Sequence, residues 1–89
     1  IYSSPASLVL CGIYERTAWH YGKRARRYVH MEIGHAAQNI YLQSAALGLG
    51  TVAVGSFNDE MVGKLLGLEK DENPLYIMPL GTPARSLEL

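Results

Sequence analysis

With 89 residues the chain makes one domain at most, and a fold of that size buries only about 60–65% of the surface its unfolded form exposes. Eight Lys and Arg balance eight Asp and Glu, so no net field draws it to nucleic acid or to a membrane surface, and neither is expected as a partner. A hydrophobic content of 48% beside 18% charged residues is high for so small a chain, and predicts part of a larger fold or a face buried against a partner.

The single cysteine, Cys11, can form no internal disulfide. It stands in the apolar run Leu8-Val9-Leu10-Cys11-Gly12-Ile13, where a buried, inert thiol is expected. Nothing requires an oxidising compartment, so the cytoplasm is the expected location. No apolar stretch approaches the roughly 18 residues that cross a bilayer. The opening Ile1-Tyr2-Ser3-Ser4-Pro5 has no initiator Met and none of the features of a signal peptide, which fits a fragment or a processed chain.

In chain order, residues 7–14 form a continuous apolar run of strand length and read as a buried strand, with Gly12 its weak point. Residues 15–27 lose periodicity and end in the basic run Lys23, Arg24, Arg26, Arg27, which reads as a loop. From Tyr28 to Leu47 there is no proline, and Val29, Ile33, Ala36, Ala37, Ile40 and Leu47 recur at the spacing of a helix. That helix is apolar and small around most of its girth, through Met31, Gly34, Leu42, Ala45 and Ala46, with one narrow polar stripe of Glu32, His35, Asn39 and Gln43 and Gln38 beside it. It should pack closely on more than one side.

Gly48-Leu49-Gly50 ends the long helix, since glycine accepts the left-handed backbone of a helix terminus. Residues 51–55 read as a short buried strand. Ser56 with Asp59 has the form of a capping box and Asn58 is an alternative N-cap; Met61, Val62, Leu65 and Leu66 then follow at helical spacing up to Gly67. A polar connection leads to a last strand over 74–78, ended by Pro79 and Gly81. The expected fold is α+β, in the order strand, long helix, strand, short helix, strand.

Gly48-x-Gly50 is not a dinucleotide fingerprint, because a helix precedes it and a strand follows it, the reverse of what that motif needs. Glu32-x-x-His35 is half of a di-iron carboxylate motif, but the second copy and the extra glutamates are missing. His30 and His35 do not share a helical face, so no metal is expected. Nor is there a local context for a Ser-His-Asp or Cys-His set. The basic run is suited to oxyanions or to plain solvation. Val54-Gly55-Ser56, leaving a strand toward a helix start, could present free N–H groups and close backbone to a flat ring.

Taken together, Tyr21-Gly22-Lys23-Arg24-x-x-Arg27-Tyr28, Glu32-x-Gly34-His35-Ala36-Ala37-Gln38-Asn39-x-Tyr41-Leu42, Leu47-Gly48-Leu49-Gly50-Thr51, Gly55-Ser56-Phe57 and Pro74-Leu75-Tyr76 to Gly81 resemble the SagB-type branch of the nitroreductase family. The resemblance runs from about Leu8 to Pro83 and corresponds to the C-terminal half of that family's domain, so that residues 1–89 would be the C-terminal part of an FMN-binding domain. It implies a mixed sheet flanked by helices, a homodimer with FMN at its interface, and hydride transfer from NADH or NADPH through the flavin to a small-molecule acceptor. It also implies that the backbone of Val54, Gly55 and Ser56 approaches the ring, and that the long helix packs at the dimer interface. Most of the family's phosphate anchors belong to the absent half; Arg85 is a match near the C-terminus, and Arg24 and Arg27 are candidate anion contacts. Azoline-oxidising members carry Lys-Tyr where this chain has His20-Tyr21, which makes His20 and Tyr21 the candidate catalytic pair with a different proton chemistry. The alternative is a cofactor-free, truncated member whose long helix serves only dimerisation or partner binding.

Overall fold

The computed structural model describes residues 4–83. The fold is α+β, with strand β1 (Ala6–Gly12), helix α1 (Tyr14–Tyr21), a 3-10 turn (Gly22–Arg24), helix α2 (Ala25–Ala46), strand β2 (Gly50–Thr51), helix α3 (Asp59–Leu66) and strand β3 (Asn73–Gly81). One three-stranded sheet has the order β1-β3-β2, and β3 runs antiparallel to both neighbours. The last strand in sequence is therefore the centre of the sheet.

The loop expected over 15–27 is instead α1, the 3-10 turn and the first turn of α2. Tyr14, Thr17 and Ala18 are half-buried while Glu15, Arg16, Trp19 and His20 are exposed, a helical pattern that the polar and aromatic side chains conceal in the sequence. Docking against α2 sustains this short helix: the Tyr14 hydroxyl lies 2.7 Å from His30 Nε2, and the Arg26 guanidinium sits 4.3 Å over the Tyr14 ring. Gly22, at φ 58°, turns the chain between the helices.

α2 thus starts three residues earlier than its periodicity indicates, so the basic run straddles its beginning. It ends as expected: Gly48 takes φ 75°, Leu49 N–H donates to Ser44 O at 2.8 Å and Gly48 N–H to Ala45 O at 3.1 Å, the paired bonds of a Schellman terminus. α3 is capped by Asn58, whose Oδ1 accepts from Met61 N–H at 3.0 Å; this is the alternative cap, and the Ser56 box does not form. Gly67, at φ 67°, closes α3.

Two strands differ from expectation for one reason. β2 keeps only Gly50 and Thr51 in the ladder, and Val54 rejoins it alone, exchanging backbone bonds of 2.9 and 3.0 Å with Ile77. Between them the Ala53 N–H leaves the ladder for the Tyr41 hydroxyl, 2.7 Å away on α2. β3 meanwhile runs on through Pro79. Alternate residues of a strand direct their backbone groups to the same side, so Pro79 faces the side of Ile77, where β2 has left the ladder and no N–H is needed.

Met78 of β3 is fully buried, and Ala25, Val29 and Ala37 of α2 complete the buried apolar set. At Gly12 the sheet and α2 touch: a Cβ there would lie 2.7 Å from Val29 Cγ1 and 3.0 Å from Leu75 Cδ1. Among the described residues no helix is long and apolar enough to cross a membrane.

Gly12→Ala should therefore destabilise the fold by about 1–3 kcal/mol through overpacking against a stiff β-branched side chain. Gly34→Ala, where nothing lies within 4 Å of the added methyl, should stabilise the isolated chain by up to about 1 kcal/mol through helix propensity. Urea unfolding of both variants checks the pair, and opposite signs are the expected outcome.

Candidate functional site

Sequence-derived candidates fall at two places. The first is the turn after β2. Val54 is fixed by a reciprocal pair of backbone hydrogen bonds with Ile77, and the preceding Ala53 amide is held by Tyr41. Gly55 and Ser56 follow, both exposed, and among the described residues no hydrogen bond engages either N–H. Gly55 does not owe its identity to backbone strain, because its φ is not positive. A Cβ there would meet the Tyr76 ring at 3.5 Å, an ordinary contact. The turn is thus two free donors on a firmly tied backbone, with an aromatic ring beneath.

Thr51 Oγ1 is buried without a hydrogen-bond partner among the described residues. Tyr41 and Tyr76 were not legible as site residues. Each acts on a backbone position remote in sequence, which leaves no local pattern.

The second place is the elbow between α1 and α2. Four rings run in contact: Trp19 on His20 at 6.2 Å, His20 on Tyr21 at 4.8 Å, and Tyr21 edge-on to Tyr28 at 4.9 Å. Tyr21 and Tyr28 border an open cleft of about 820 Å³, whose other polar walls are Arg16, Thr17, Glu32, His35 and Glu72. Two members of the polar stripe, Glu32 and His35, therefore face this cleft. Among the described residues no three His, Cys, Asp or Glu side chains are close enough to hold a metal ion. Arg24 and Arg27 are exposed beside the elbow, and Arg85 lies outside the described residues.

The two places are not adjacent. Tyr28 marks the elbow and Tyr41 the turn, and thirteen residues of helix at about 1.5 Å each separate them by about 20 Å. Within one chain the structure brings His20 and Tyr21 together with Arg24 and Arg27, and it brings none of these to Val54, Gly55 and Ser56.

The family profile of the nitroreductases matches residues 1–82. The chain belongs to the nitroreductase family. Three similar proteins each bear the description "putative nitroreductase". One, from Methanocaldococcus jannaschii, is 50% identical over 78 residues, which is 88% of this chain and 38% of that protein. A crystal structure from Ralstonia eutropha is 28% identical with a TM-score of 0.78, over 88% of this chain and 37% of the other. A second, from Anabaena variabilis, is 34% identical with a TM-score of 0.82, over 91% of this chain and 17% of the other. This nitroreductase-family chain therefore spans less than two fifths of the length of the relatives it matches.

Cys11 lies on the cleft wall. Burial, and secondarily the Glu72 charge, push its thiol above the ordinary value of 9.0. A thiol whose pKa is raised by folding favours the folded state below its ordinary pKa, and that contribution is lost as pH rises through the raised value. Alkylation of Cys11 should therefore be slow at neutral pH and accelerate only above the ordinary thiol range, and Glu72→Gln should move that rise to lower pH. Rates of iodoacetamide labelling against pH provide the check.

Tyr41→Phe removes the acceptor for Ala53 N–H. Amide exchange at Ala53 and Val54 should speed up while Met78 at the sheet centre stays protected, which exchange measured by NMR would show.

Proposed function

We propose that this chain is the C-terminal part of an FMN-dependent oxidoreductase domain of the SagB-type nitroreductase branch, transferring hydride from NADH or NADPH to a small-molecule acceptor. The observation that carries the reading is the turn at Gly55 and Ser56: two unengaged N–H donors, a residue without a side chain where none is needed for backbone strain, and supports from Tyr41 and Ile77. Such a turn fits the edge of a flavin ring, whose ring nitrogens require donors and whose flat face requires close backbone.

In this reading Val54, Gly55 and Ser56 hold the ring, and Tyr76 supports the turn from behind. FMN, when bound, supplies two-electron exchange with a nicotinamide and with an acceptor. His20 and Tyr21 lie on the acceptor side, where His20 can take or give a proton at its ring nitrogen and Tyr21 can donate a hydrogen bond. His20 replaces the lysine of azoline-oxidising members, which shifts the acceptor chemistry away from theirs. Arg24, Arg27 and Arg85 are the cations available to anionic groups of cofactor or acceptor.

The 20 Å between the two places is reconciled by a homodimer, the assembly that the family resemblance implies. α2 exposes Met31, Gly34, Gln38, Leu42 and Ala45 at successive steps of three and four, a continuous seam along one side. Gly34 has open space around it and lies midway between Tyr28 and Tyr41. This seam is suited to a second copy of the helix.

Two variants test the cofactor assignment. Because a Cβ at Gly55 meets only Tyr76, at ordinary contact distance, and φ there is not positive, Gly55→Val should fold, yet lose FMN binding much more than Arg24→Ala does. Circular dichroism establishes folding and fluorescence titration gives the order; the opposite order would overturn the assignment of the ring to this turn. The chain alone should bind FMN at micromolar or weaker affinity with little preference over riboflavin, since each missing phosphate contact is worth about 1.5–3 kcal/mol. Calorimetry with both ligands measures this, and a chain that takes up neither would favour a cofactor-free binding module.

A further inference from the structure

The charge balance of this chain is overall, not local. Five of its eight cations, Arg16, Lys23, Arg24, Arg26 and Arg27, fall within residues 16–27, and Glu15 is the only acid between residues 14 and 31. Five of the eight acids, Asp59, Glu60, Glu69, Asp71 and Glu72, lie instead within residues 59–72. The α1–α2 elbow is thus a basic pole on a neutral molecule.

Its cations are mostly unspent. Arg26 is occupied over the Tyr14 ring, but among the described residues no ion pair or hydrogen bond engages the side chain of Arg16, Lys23, Arg24 or Arg27. Glu15 shares a hollow with Tyr14, Lys23 and Arg26, away from the cleft that Arg16 and Tyr21 line, so Lys23 has an acid beside it while Arg24 and Arg27 do not border that hollow; Glu32 is one turn of α2 beyond Tyr28. Lys23 and Arg24 fall between the third and fourth rings of the aromatic run, and Arg27 is adjacent to the fourth.

The ring that opens the run is the chain's sole tryptophan, and it is 88% exposed although it contacts His20 at an interplanar angle of 27°. A tryptophan so placed contributes almost nothing to the fold. It offers a flat apolar face to solvent beside unpaired cations, and guanidinium groups suit carboxylate oxygens while a neighbouring ring suits a conjugated plane.

We propose that the elbow binds an aromatic anion, a flat conjugated ring bearing a carboxylate or similar acid, with the ring on the Trp19–His20 surface and the acid group on Arg24 and Arg27. Where His20 and Tyr21 lie on the acceptor side, an inference that rests on the proposed function, this makes the preferred acceptors acidic aromatic compounds. The cationic pole raises the local concentration of such compounds and orients them ring-inward, and its effect weakens with salt.

The experiment needs no flavin, so it stands apart from the cofactor assignment. The full chain is labelled with nitrogen-15, and the single indole N–H resonance of Trp19 is followed during titration with 2-naphthoate, with neutral 2-naphthamide and with acetate. Naphthoate should bind at least about tenfold tighter than either comparator at about 0.05 M salt, and lose most of that advantage at about 0.5 M. The double variant Arg24→Gln, Arg27→Gln should lower naphthoate affinity about tenfold and leave naphthamide unchanged, with the remaining amide spectrum confirming the fold. Equal binding of naphthoate and naphthamide would show a plain apolar patch. Equal binding of naphthoate and acetate would show a plain counter-ion surface. Either result, or a double variant that binds naphthoate as the parent does, overturns the proposal.

Discussion

The contact between α2 and the sheet at Gly12 governs the rest of the molecule. No side chain fits there, because Val29 Cγ1 and Leu75 Cδ1 already occupy the space where a Cβ would go. That closeness lets a small apolar set, Met78 with Ala25, Val29 and Ala37, hold a 22-residue helix against only three strands. A helix seated at one end and tied at the other, by the Tyr41 hydroxyl to Ala53 N–H, becomes a rigid spacer. Its length then decides how far apart the two candidate places stand.

The same economy explains the surface. A chain of this composition has more apolar side chains than its core can take, so Trp19, Met61, Leu65, Leu42 and Leu47 remain largely exposed. These exposed groups are grouped by element. α2 carries a seam at helical spacing and α3 carries Met61 and Leu65. Contiguous exposed apolar surface of this kind marks faces that meet something else, in keeping with a chain that spans 38% of its Methanocaldococcus jannaschii relative.

Family membership and local geometry address different questions. The nitroreductase profile covers residues 1–82 and is silent on how the residues of a site are divided in space. The geometry divides them: a backbone turn with free donors at one end of α2, and a cationic aromatic elbow at the other. The first is built from main-chain groups and is suited to a ring edge. The second is built from long side chains and is suited to recognising charge and shape at an open surface. The distinction matters for mutagenesis: Arg24 and Arg27 are exposed, so changing them leaves the interhelix contacts of Tyr21 with Tyr28 and of Arg26 with Tyr14 in place, whereas the turn is made of backbone.

Much of the architecture was legible in the sequence because it depends on periodicity and on glycine. The apolar run of β1, the long helix, its Gly48 terminus and the Gly67 stop all follow from side-chain spacing and from φ angles that only glycine readily adopts. Val54, Gly55 and Ser56 could be named as candidates from the strand-to-helix turn they form, whereas His20 and Tyr21 became candidates only through the family resemblance. What tertiary structure decided is whatever depends on a partner distant in the chain. α1 is sustained by docking on α2, where Tyr14 meets His30 and Arg26; the 51–55 strand is interrupted because Ala53 N–H finds Tyr41; β3 passes through Pro79 because the neighbouring strand has left the ladder there; and the α2 rod keeps the elbow about 20 Å from the turn. Local spacing carries no information about contacts of that kind, since their energy arises only once the chain has closed on itself.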